Sequence, residues 1–141
     1  MAFGAAATSL KSPEKVKEAL RLLAYVQADM ASKLPNKAYG RLPHENEEFQ
    51  EAAPALLDAV ASEPSPFQSE VRTRLASATK QANAVAEVSQ SGDDARIAAA
   101  VAAVQKALEP VYALFPEDVR PVPGQLGRGP GRASGPPADL R

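Results

Sequence analysis

The sequence predicts an all-α protein, an antiparallel up-down four-helix bundle that ends in a disordered, Pro/Gly-rich C-terminal tail. Three observations carry this. Four separate segments repeat apolar residues every third or fourth position, the spacing that lines one face of a helix, with capping or turn residues between them. Aromatic residues make up only 5 % of the 141 residues and Trp is absent, so the core must be built mostly from Ala, Leu and Val. Such a core suits close-packed helices and poorly suits a β-sandwich. From Pro116 onward, PEDVRPVPGQLGRGPGRASGPPADLR holds too little apolar surface to order itself. The implied organisation is a flexible N-terminus over residues 1–11, a bundle over 12–116 and a tail over 117–141.

The first helix opens at Ser12-Pro13, a capping hydroxyl followed by a proline whose missing N–H does no harm there. Its apolar stripe is Val16, Leu20, Leu23, Met30 and Leu34, interrupted by Gln27. Pro35 and Gly40 end it and begin a loop through Pro43. The second helix is expected to start with HENEE, whose carboxylates would sit in its first turn and favour the positive end of the helix dipole. Its face is Phe49, Ala53, Leu56 and Val60, and Pro54 predicts a kink or break near residues 50–53.

EPSP then stops one helix and starts the next. Ser65 and Gln68 have the spacing of an S-x-x-Q capping box. Phe67, Val71, Leu75, Ala78, Ala82 and Val85 follow as the third stripe. In SQSGDD, Gly92 can take the left-handed conformation that ends a helix, and Asp93 or Asp94 can cap the next. The fourth stripe is Ile97, Val101, Val104, Leu108, Val111 and Phe115, with Pro110 expected to bend it. Helices one and three both begin Ser-Pro, and two and four both carry an internal Pro. A duplicated hairpin would produce that pattern, and so would chance in a chain this rich in Ala and Pro.

Charge sorts along the chain although the net charge is only −1. Residues 11–41 hold Lys11, Lys15, Lys17, Arg21, Lys33, Lys37 and Arg41 against Glu14, Glu18 and Asp29. Residues 44–63 hold Glu45, Glu47, Glu48, Glu51, Asp58 and Glu63 and no Lys or Arg. Adjacent first and second helices would therefore attract across their outer faces. The small net charge gives no global pull toward nucleic acid, and no apolar run approaches the roughly 18 residues that a bilayer span requires. Ala5-Ala6-Ala7 has the small-residue character of a signal-peptidase remnant, which would place the protein in a periplasm or thylakoid lumen; an unstructured N-terminus is the plainer reading.

Chemistry is sparse. With no cysteine, disulfides, thiolate metal sites, thioether haem attachment and thiol catalysis are excluded. A di-iron centre needs two Glu-x-x-His motifs, and His44 is the only histidine. There is no G-x-S-x-G elbow, and Gly127, Gly129 and Gly131 fall in the tail rather than between a strand and a helix. His44 and Met30 are candidate haem or metal ligands by type, although Met30 belongs to the core stripe and His44 to a loop.

The stretch from Phe67 to Arg120, a capped helix, a Gly-Asp turn and an Ala-rich helix with late aromatics, resembles the second hairpin of the small four-helix cytochromes, b-type and c-prime. In that family a His near the end of the last helix binds haem; the matching region here, PVYALFPEDVR, has neither His nor Cys. The same hairpin is similar to the extrinsic PsbQ-type bundles of photosystem II, which implies a non-catalytic subunit docked on a larger complex. The function expected is therefore a non-enzymatic interaction or structural subunit without a cofactor; the alternative is a haem or metal carrier. Its partner would be a protein, basic or associated with a membrane complex, with neither nucleic-acid binding nor membrane insertion. Tyr39, Arg41, His44, Glu45, Glu47, Glu48 and Glu51 are expected to form the partner-binding cluster, exposed at one end of the bundle.

Overall fold

Apolar stripes at helical spacing can be buried only against one another, and the chain solves this with four helices in sequence order. A computed structural model describes residues 9–122. The helices are α1 (Pro13–Ser32), α2 (Leu42–Ala59), α3 (Ser65–Val88) and α4 (Asp94–Tyr112), and no strand occurs among the described residues. Single 3-10 turns lie at Tyr39–Arg41 and Glu117–Val119. Each helix packs on the next and α4 returns to α1, closing the ring of an up-down bundle. No described helix is long and apolar enough to cross a membrane.

The expected stripes point inward, although α1 ends at Ser32 and leaves Leu34 just beyond it, half-buried against the core. Val16, Leu20, Leu23 and Met30 of α1 meet Phe49 and Leu56 of α2, Val71, Leu75 and Val85 of α3, and Ile97 to Val111 of α4 in one core. Val26 joins the same core, while Gln27, which interrupts the stripe, is half-buried. Ala52, Ala53, Ala78 and Ala82 keep the helices close where a larger residue would hold them apart. Phe67, at the start of α3, meets Phe115, just after α4, edge to face with centroids 5.5 Å apart. One polar seam joins α2 to α3: Asn46 Nδ2 donates to Asn83 Oδ1 at 3.0 Å, and Gln50 Nε2 donates to the same oxygen at 3.2 Å.

Several helix ends differ from expectation. α2 begins at Leu42, so HENEE lies inside it and Pro43 occupies the first turn, where proline is favoured, rather than the loop. Neither internal proline breaks its helix. Pro54 is exposed, so the Gln50 carbonyl that loses its N–H partner lies on the solvent side. Pro110 sits near the end of α4, and its carbonyl accepts from Arg74 Nη1 at 2.9 Å. Ser12 stands at the N-cap of α1 without a side-chain capping bond. The expected capping box does not form, because Pro64 takes the N-cap position. Gln68 Nε2 instead donates back to the carbonyls of Glu63, at 2.7 Å, and Ala61, at 3.2 Å. Asp93 does cap α4, accepting from the Arg96 N–H at 3.2 Å, and Gly92 has φ of +73°, as the turn requires.

The bundle also extends past Pro116. Val119 is buried, the turn around it packs on α1, and Arg120 Nε donates to the Phe115 carbonyl at 2.8 Å. The rest of the expected tail, from residue 123, and the possible cleavage remnant at residues 5–7 lie outside the described residues. At the other margin, the Lys11 N–H donates to Glu63 Oε2 at 2.7 Å.

Candidate functional site

The start of α2 at Leu42 decides where each candidate side chain goes. Leu42, Glu45, Phe49, Ala52 and Leu56 follow one another at three- and four-residue steps, and all face the core. His44, Glu47 and Glu51 fall on the other side of the helix, and Glu48 lies between the two sides, half-buried. The cluster expected at this corner therefore splits. Glu47, Glu51 and Arg41 are exposed; Glu45, expected at the surface, is 3 % exposed and faces α1.

Tyr39 is half-buried, and its hydroxyl donates to Asp94 Oδ1 at 2.6 Å. Lys37, in the left-handed region with φ of 52°, places its Nζ 2.9 Å from Asp94 Oδ2. The α1–α2 link is thus fastened to the first residue of α4. The Tyr39 hydrogen bond and the Lys37 ammonium hold the Asp94 carboxyl below its ordinary value, and the same bond raises the Tyr39 hydroxyl.

His44 projects outward, with Nε2 3.1 Å from Glu48 Oε2 and Nδ1 3.8 Å from Glu47 Oε1. Met30 is fully buried in the core. The two residues proposed as haem or metal ligands are therefore not brought together. Two surface grooves, one between α3 and α4 beside Glu87 and Arg96, the other between α1 and α2 beside Lys15 and Asp58, are lined by neither.

What the sequence reading missed lies on the inner side of this corner. Asp29 in the last turn of α1 and Lys33 just past its end stand at i, i+4 spacing, and Lys33 Nζ lies 3.2 Å from Asp29 Oδ1 and 3.7 Å from Glu45 Oε2. Asp29, Glu45 and Glu48 each present a carboxylate oxygen, and the three oxygens lie within 4.8 Å of one another. Glu45 Oε1 is buried and has no hydrogen-bond partner. Burial pushes the Glu45 carboxyl up to about 8, aided by its hydrogen bond with Asp29 and by the charges of Asp29 and Glu48, and opposed by Lys33. Burial also acts to raise Asp29, but hydrogen bonds from Glu45, Lys33 and Ser32, with the Lys33 charge, outweigh it and leave Asp29 below its ordinary value. The shared environment thus pushes Glu45 toward its neutral form and holds Asp29 toward its ionised form.

A proton, or an ion of greater positive charge, is what this arrangement can hold. A signal for it did exist in the sequence, because extending the α2 stripe back by two turns from Phe49 meets Leu42 and Glu45. Comparison with known proteins adds nothing to these residues: no family model, no curated protein and no solved structure matches the chain at a significant level.

Proposed function

We propose that this chain is a non-enzymatic helical-bundle subunit that docks on a larger protein complex through the acidic outer face of α2. The observation that carries this reading is the exposed series Glu47, Glu51 and Asp58, which runs along one side of the helix. No Lys or Arg interrupts it anywhere between Leu42 and Ala59. Like charges one turn apart repel by about 0.2–0.5 kcal/mol per pair. A basic partner surface removes that repulsion on docking, and long-range attraction speeds the encounter. His44 and Arg41 lie at the edge of this face, and Tyr39 beside them has its hydroxyl committed to Asp94. Glu45 contributes nothing to it, being buried.

The double variant Glu47→Lys with Glu51→Lys tests the reading, because both side chains are exposed and neither is needed by the core. Affinity co-purification should retain a basic protein on the parent chain, and the variant should lose it while its circular dichroism stays unchanged. The interaction should also weaken as salt rises, since exposed charges are screened within about 10 Å at 0.1 M ionic strength. Equal retention by parent and variant would refute it.

A further inference from the structure

We infer that the inner side of the α1–α2 corner is a binding site for a hard divalent cation of the Ca2+ or Mn2+ type, with Asp29, Glu45 and Glu48 as its protein ligands. Two independent observations support this. The first is geometric: one helix supplies Asp29 and the other supplies Glu45 and Glu48, with the three oxygens inside 4.8 Å of one another. Coordination to a common ion at about 2.0–2.6 Å needs only small side-chain adjustments from there. The second is the state of Glu45. It is 3 % exposed, and its Oε1 is sealed from solvent with no donor to meet it. A buried carboxyl oxygen without a partner costs free energy, and a cation is the ligand that satisfies it together with its two neighbours.

The donor set selects the metal class. All three ligands are carboxylate oxygens, which favour hard ions over those that prefer imidazole or thiolate. Glu48 is only half-buried, so water can complete the coordination shell from the solvent side. His44, 3.1 Å from Glu48 Oε2, stands behind that carboxylate as an orienting neighbour rather than as a ligand.

One positive group competes for the same oxygens. Lys33 Nζ lies 3.2 Å from Asp29 Oδ1 and 3.7 Å from Glu45 Oε2. A cation seated among the three carboxylates must displace this ammonium, so Lys33 is its competitor.

The experiment titrates Mn2+ into the full chain, reading free Mn2+ by electron paramagnetic resonance and heat by calorimetry. The expected result is one saturable site per chain. Glu45→Gln, a near-isostere, and Glu48→Gln, a half-exposed position that leaves the core untouched, should each weaken binding at least about tenfold. Lys33→Met should tighten it, an outcome that a merely structural role for these residues does not produce. Circular dichroism in chelator verifies each fold, and should Glu45→Gln fail to fold, Glu48→Gln decides. Absence of saturable Mn2+ binding at millimolar concentration, unchanged affinity in folded Glu48→Gln, or no tightening in Lys33→Met each overturns the site. The docking variant Glu47→Lys with Glu51→Lys touches none of the three ligands, so the two proposals fail separately.

Discussion

Glu45 occupies a core-facing position of α2 that the stripe on either side fills with Leu42 and Phe49. Because burial and Asp29 raise its carboxyl to about 8, the folded chain binds a proton that the unfolded chain releases near its ordinary value of 4.5. Between those values the unfolded state holds fewer protons, so stability falls as pH rises. In chelating buffer, urea unfolding of the parent chain should lose on the order of 2 kcal/mol between about pH 5 and pH 8. Glu45→Gln should flatten that dependence, and a parent profile that rises over the same range would contradict the assignment. Phe115 tests packing at the same scale. It is fully buried against Phe67, so Phe115→Ala should cost about 3–5 kcal/mol in the same assay. The stripes identified Phe115 as core from spacing alone. They point to Glu45 only when the α2 stripe is carried back to Leu42, because a carboxylate reads as surface until the helix start is known, and Asp29 matters only once α1 and α2 are docked.

At the scale of the helix, existence was legible and boundaries were not. Each stripe marks a helix, since 3.6-residue periodicity is a property of the backbone and survives any local detail. Helix starts depend on a choice between equivalent signals. Pro43 can stop a loop or open a helix, and Ser65 loses the cap position to Pro64 once Pro66 enters the first turn. Pro54 shows that a breaker is decisive only where its lost hydrogen bond is buried. Because it is exposed, Pro54→Ala should restore the bond to the Gln50 carbonyl and raise stability by about 1 kcal/mol, after the loss of the rigidity that proline gives the unfolded chain. A fall in thermal midpoint would mean that the bundle requires the proline's geometry.

For the whole molecule, short links between four stripes were enough to give the ring of neighbours, since short connections leave antiparallel packing as the simplest arrangement. The fastenings across the ring were not readable. Tyr39 reaches Asp94, and Phe67 reaches Phe115, over separations on which periodicity is silent. The turn at Glu117–Val119 was lost to a composition rule, because a Pro- and Gly-rich stretch hides one valine that packs on α1.

That last contact has a topological consequence. The turn holding Val119 lies against α1, and Lys11 is bonded to Glu63 in the neighbouring link, so the first and last parts of the described chain meet at one end of the bundle. The chain can therefore be circularly permuted. A short Gly/Ser bridge from Arg120 to Ser12, with new termini opened between Gln90 and Ser91, exchanges the α3–α4 connection for an α4–α1 connection. It keeps the Gly92 turn and the Asp93 cap on α4. The permutant should regain the parent's helical signal and a cooperative thermal transition, since the same surfaces are buried in a different chain order. Loss of that transition would show that the α3–α4 hairpin must be covalently continuous for the ring to close.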